Sequence, residues 1–229
     1  MKMIVQTVCG NIEDSNSFYD RLNFTKLILD GKCIYTDGKV NIHVNEESKA
    51  RPGIQLFGGA FDIDGLKQIA NVIPIEGGHL LTDYSGVWVY LIEGNGTDLE
   101  KENNAKPSVL GNYDGVSIET TNIVNSIKVW EKLSFKVTMG SAEAGWVSLA
   151  NENGDVISLI SAFNCPHLFI NPSLTYFNGK NNPRIIEEIR KVEIRIAEEV
   201  TVFNKEGKVD NVILQDPGGL GMFVFNDEV

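Results

Sequence analysis

The sequence has no stretch approaching the roughly 20 consecutive apolar residues that a membrane-spanning helix needs. Its opening, Met1-Lys2-Met3-Ile4-Val5-Gln6, has neither the long apolar region nor the small-residue cleavage site of a secretory signal. Cysteine is scarce: Cys9, Cys33 and Cys165 are odd in number and show no paired spacing, which argues against a disulfide framework or a zinc site. Reduced thiols in a cytoplasmic protein are the expectation. Basic residues are few. With 20 Lys and Arg against 31 Asp and Glu, the net charge is −11. No basic run is present, and nucleic-acid backbones and anionic membranes both require clustered positive charge. Histidine is limited to His43, His79 and His167. What remains is 229 residues, 42% hydrophobic and 22% charged, enough to bury a sizeable core.

The positive signal is an internal repeat. Asn11-Ile12-Glu13-Asp14-Ser15 leads into Phe18-Tyr19-Asp20-Arg21-Leu22-Asn23-Phe24. Asn122-Ile123-Val124-Asn125-Ser126 leads, at the same spacing, into Val129-Trp130-Glu131-Lys132-Leu133-Ser134-Phe135. Each copy reads as an Asn N-cap, a short amphipathic helix and the entry to a strand. Around the first copy the order is strand (Met3 to Val8), helix (11–22), then Leu27 to Leu29 and Ile34-Tyr35 about a turn at Asp30-Gly31-Lys32. Val40, Ile42 and Val44 alternate after the turn dipeptide Asp37-Gly38. A second unit starts at Ile54 to Phe57, has a short helix with Ile63, Leu66, Lys67 and Ala70, and ends in Val87, Val89 and Leu91. A third starts at Val116, and Asn153-Gly154 turns into Val156 to Ile160. A fourth starts near Leu174, with Ile185, Ile186, Ile189 and Val192 on one helix face. Its strand Val209 to Leu214 and the turn Asp216-Pro217-Gly218-Gly219 lead into Met222 to Phe225. The polar run Lys101 to Lys106, followed by Pro107, breaks both periodicities and reads as the connection between halves.

Tyr113-Asp114-Gly115-Val116-Ser117-Ile118-Glu119 with Asn122-Ile123 resembles an opening characteristic of the vicinal oxygen chelate superfamily, and Asp216 to Met222 resembles the turn before that family's last strand. The superfamily includes glyoxalase I, bleomycin- and fosfomycin-resistance proteins and extradiol dioxygenases. The resemblance implies an α+β fold of four βαβββ modules, forming two glyoxalase-like domains with curved, partly closed sheets. The first domain would span 1–100 (modules about 1–50 and 51–95), the linker 101–112, and the second 113–229 (modules about 113–165 and 170–229).

In metal-dependent members a His or Gln on a module's first strand and a Glu on its last hold a divalent ion. Here the matching first-strand positions are Ile4 or Gln6, Gln55, Gly115, and Thr175 or Tyr176. On last strands they are Ile42 or His43, Tyr90, Ser158 and Phe223, with no acid among them. No metal or other cofactor is therefore expected, and a donor set of one His and two Gln holds a divalent ion poorly. Alternation puts Asn41, His43 and Asn45 opposite Val40, Ile42 and Val44, so His43 is expected to share a polar cluster with Gln6, Gln55 and Tyr90. Trp88 shares a face with Tyr90 and could line a pocket. Glu119, on the strand that opens the third unit, is a further candidate ligand-binding residue and a possible base. His79, after Gly77-Gly78, reads as a loop residue. Cys165 and His167, separated by a proline, are not expected to form a nucleophilic pair. Gly218-Gly219-Leu220-Gly221 lacks the Lys-Ser/Thr of a phosphate loop and precedes a strand, so it reads as a turn.

The leading expectation is a metal-independent protein of the glyoxalase and bleomycin-resistance type, binding a small organic molecule in a module-pair cavity. The alternatives are a lyase or dioxygenase with a degenerate site around His43 and Gln55, and a structural or partner-binding protein without a ligand. The chain is expected to be a monomer or homodimer.

Overall fold

The computed structural model describes residues 1–29, 31–94 and 105–228. The turn at Asp30 and most of the polar connection at 101–106 lie outside the described residues. Four units follow one another with a single order, strand, helix, then three strands. The first comprises β1 (Lys2–Val8), α1 (Ile12–Arg21), β2 (Thr25–Leu29), β3 (Lys32–Thr36) and β4 (Asn41–Asn45). The second comprises β5 (Gly53–Phe57), α2 (Ile63–Lys67), β6 (Asn71–Ile75), β7 (Gly78–Thr82) and β8 (Trp88–Ile92). The third has β9 (Tyr113–Thr120), α3 (Ile123–Lys132), β10 (Lys136–Ser141), β11 (Trp146–Ala150) and β12 (Val156–Ser161). The fourth has β13 (Ser173–Phe177), α4 (Asn182–Lys191), β14 (Ile196–Val200), β15 (Asn211–Gln215) and β16 (Gly221–Phe225). His79 is paired with Pro74 and Leu91 inside β7 and is not a loop residue. The Gly77-Gly78 signal that suggested a loop is the hairpin turn into that strand.

Helices α1, α2 and α3 start where a short polar side chain satisfies a free amide, while α4 has no side-chain cap and begins with Pro183 in its first turn. Asn11 accepts from the Glu13 N–H, and Asn122 accepts from the Asn125 N–H. In each unit the helix carries the chain across, so that the first and last strands run parallel: β1 with β4, β5 with β8, β9 with β12 and β13 with β16. Units join in pairs through antiparallel contacts, β1 with β5 and β9 with β13. The result is two curved, unclosed eight-stranded sheets with matching orders, β2-β3-β4-β1-β5-β8-β7-β6 and β10-β11-β12-β9-β13-β16-β15-β14.

The helix-facing sides of both sheets contribute to one apolar core, which includes Val5, Tyr19, Ile42, Leu81, Val116, Trp130, Leu159, Ile189 and Val224. The segment 107–112 enters it: Leu110 is fully buried, and the Val109 N–H donates to the Leu22 carbonyl. The opposite faces carry two smaller clusters. One is Ile4, Ile34 and Phe57 on the first sheet; the other is Val200, Ile213 and Phe223 on the second. Cys33 is buried, Cys9 and Cys165 are half-buried, and all three are free thiols. Among the described residues no helix is long and apolar enough to cross a membrane.

Candidate functional site

Strand register brings the polar residues of the first half together. Gln6 pairs with His43 across β1 and β4, and Gln55 pairs with Tyr90 across β5 and β8. Gln6 also lies opposite Gly53, which pairs with Trp88. Gly53 is required there: a Cβ would sit 2.2 Å from the Trp88 carbonyl oxygen. Because side chains alternate along a strand, Ile42 and Val44 face the helices while His43 faces away from them. Gln6, His43 and Gln55 are all nearly inaccessible to solvent, beside Ile4, Ile34 and Phe57 on the same face.

The hydrogen bonds of this cluster form a chain with one possible direction. The Arg51 carbonyl can only accept, so the Gln6 amide nitrogen faces it, at 2.7 Å. The Gln6 carbonyl oxygen then accepts from Asn45 Nδ2 at 3.0 Å and from Gln55 Nε2 at 2.5 Å. Gln55 Nε2 also donates to His43 Nδ1, at 3.1 Å. His43 is thereby held as the neutral tautomer with its proton on Nε2. Burial, with the nearby Lys32 charge, lowers its pKa from 6.5 to about 4. The amide orientation leaves Gln55 Oε1 buried with no hydrogen-bond partner. An orphaned buried acceptor costs about 1–3 kcal/mol. At the edge of the cluster, the Tyr90 hydroxyl accepts from the Arg51 N–H at 3.3 Å, and the Arg51 guanidinium lies 6.0 Å from the Trp88 ring centre.

The donor set does not fit a divalent metal. It offers one imidazole, whose Nδ1 is engaged by an amide N–H, two neutral amides and a phenol, and no carboxylate to offset the ion's charge. Among the described residues no three His, Cys, Asp or Glu side chains converge anywhere.

Glu119 is not part of this constellation. It lies on β9 in the other sheet, half-buried, where its carboxylate accepts the Phe163 N–H at 3.0 Å. Its own peptide group is held on both sides by the Asn171 amide, at 3.2 and 2.9 Å. In this arrangement it anchors the 162–172 loop. That loop folds aromatic groups onto the second sheet: His167 meets Phe223 and Phe225 edge-on, and Phe169 packs against Phe223. His167 Nδ1 is bonded to the Leu168 carbonyl at 2.9 Å, and burial raises the Cys165 thiol pKa, so neither group is poised as a nucleophilic pair. The Gly218-Gly219 segment is a turn, closed by Gly219 N–H donating to the Asp216 carbonyl.

Sequence reasoning did not find the part played by Asn45 and Arg51. Both act through backbone position or an amide bond, and neither matches a metal-ligand position. Their only sequence signal was the shared face of Asn41, His43 and Asn45.

No protein-family model matches the chain, and no curated protein sequence matches it. Solved structures do match in shape. A variant of homoprotocatechuate 2,3-dioxygenase from B. fuscum superposes with a TM-score of 0.57 at 14% identity, over 97% of this chain and 70% of the dioxygenase. The same enzyme from Arthrobacter globiformis gives 0.58 at 12% identity, over 96% and 78% of the two chains. BphC, a halotolerant catechol dioxygenase, gives 0.52 at 11%, over 96% and 84%. The two sheets thus have the vicinal oxygen chelate fold of extradiol dioxygenases, in two tandem copies; identity this low establishes fold and nothing finer.

Proposed function

We propose that the chain is a metal-independent binding protein whose first domain, residues 1–100, takes a small organic molecule at the Gln6–His43–Gln55 cluster, with 113–229 as a companion domain. The observation that carries this reading is the orphaned Gln55 Oε1 beside a neutral His43. Together they offer one free acceptor and, at His43 Nε2–H, one donor, at the edge of an apolar patch with Trp88 and Tyr90 alongside. A small planar molecule with a hydroxyl or amine group matches that pattern. In the second domain the matching face is occupied by the protein's own Phe169, His167, Phe223 and Phe225, which favours the first domain as the site. The solved neighbours are named as dioxygenases of catechol-type compounds, which supports a hydroxylated aromatic as the first class to try.

Two measurements test this. Elemental analysis of the purified protein and of a His43→Ala variant should find no stoichiometric divalent ion in either. An equimolar ion that disappears in the variant would overturn metal independence. Ligand-observed NMR with catechol should show binding to the parent and its loss in Gln55→Leu, whereas equal binding to both would place the site elsewhere.

A further inference from the structure

A cleft of about 440 Å³ lies where α1 of the first half meets β14 and β15 of the second. Its volume falls within the range of small-molecule sites, roughly 300–1,000 Å³. Phe18, Leu168 and Pro217 supply apolar wall, Gln215 an amide, and Arg21 and Arg195 two guanidinium groups.

Both arginines are solvent-exposed, and neither takes part in an ion pair among the described residues. Arg21 is held in position by backbone carbonyls, Nε on Ser17 at 3.2 Å and Nη1 on Glu193 at 2.9 Å, which fix the side chain without neutralising it. Arg195 has no hydrogen bond or ion pair among the described residues, and none of the ion pairs there includes either arginine. Arg190, by contrast, is matched by both Glu187 and Glu199. The one carboxylate in the wall, Asp216, is occupied elsewhere. Its oxygens accept from the Tyr19 hydroxyl at 2.8 Å and the Leu220 N–H at 2.7 Å.

We propose that this cleft binds a small organic acid, its carboxylate held between Arg21 and Arg195 and its apolar body against Phe18, Leu168 and Pro217. Planar guanidinium groups match a carboxylate in charge and geometry. The ligand would touch both halves of the molecule, so its binding would stabilise their contact. This site is independent of the Gln55 cluster and stands or falls separately.

The test is calorimetric titration of the intact chain with benzoate and with its uncharged counterpart benzamide, at low ionic strength. Benzoate should bind saturably and lose affinity in high salt, and benzamide should bind at least about ten-fold more weakly, the weight of a charge-assisted hydrogen bond. Arg195→Gln should weaken benzoate by a similar factor while the circular dichroism spectrum and Tm stay at parent values, because this side chain has no partner to lose. Equal binding of benzoate and benzamide, or parent-like benzoate binding by Arg195→Gln, would overturn the proposal. Inorganic phosphate displacing benzoate at equal concentration would also overturn it, by showing that the apolar wall contributes nothing.

Discussion

His43 shows how a single side chain takes its character from its neighbours. In water an imidazole titrates near pH 6.5. Here burial and the Lys32 charge hold it neutral down to about pH 4. The native state therefore binds fewer protons than the unfolded chain between those values. The stability that depends on a neutral His43 is complete above pH 6.5 and is lost as pH falls toward 4, by roughly 3 kcal/mol at the limit. Urea denaturation of the parent at pH 7 and pH 4.5 should show this loss superimposed on carboxylate titration, and His43→Gln should show a smaller fall over the same interval. An identical fall in both proteins would mean that His43 is not held neutral. The residue's orientation could be read from strand alternation alone. Its tautomer could not, because that depends on a chain of amides running from the Arg51 carbonyl through Gln6 and Gln55.

At the scale of elements, the starts of α1 and α3 were visible in the sequence and the backbone conformation at the helix exits was not. Asn11 and Asn122 cap as their side-chain chemistry dictates. The exits at Asn23, Ser134 and Glu193 all use a positive φ, between 55° and 66°, which no glycine advertised. In the first and third units the turn is closed the same way, Phe24 N–H to Tyr19 O and Phe135 N–H to Trp130 O, each at 3.0 Å. Ser134→Gly should remove the strain of that conformation and raise stability by about 0.5 kcal/mol after glycine's own entropy cost. A lower midpoint in chemical denaturation would show that the serine side chain matters more than its backbone. The outer strands were equally hard to read. β6 contains Pro74 and most of β10 is exposed, so neither shows clean alternation. Both lie at sheet edges, where a missing N–H and a solvated face are tolerated.

At the scale of the molecule, the halves are fastened by polar bonds inside a shared apolar core. Tyr19 on α1 donates to Asp216 in the β15–β16 turn, 197 positions away. Ser108 and Tyr176 both donate to Asp37 in the β3–β4 turn, at 3.1 and 3.4 Å. Tyr19→Phe would leave a buried carboxylate short of a donor, at a cost of about 1.5–3 kcal/mol. Because one core serves both sheets, the chain should still unfold in a single transition at a lower denaturant midpoint. An unchanged midpoint would show that the Tyr19 bond does not hold the halves together.

The repeated order of strand, helix and three strands was determined by the sequence itself, since capping, 3.6-residue helical spacing and two-residue strand alternation are local rules that act within a few neighbours. Which faces would be filled and which left with unsatisfied groups was decided only by tertiary structure. Gln6 and Gln55 are 49 positions apart and meet because β1 pairs with β5, while Arg21 and Arg195 share a cleft because the two sheets pack through one core. Those contacts join residues with no local relation, and their energies exist only once the chain has closed on itself.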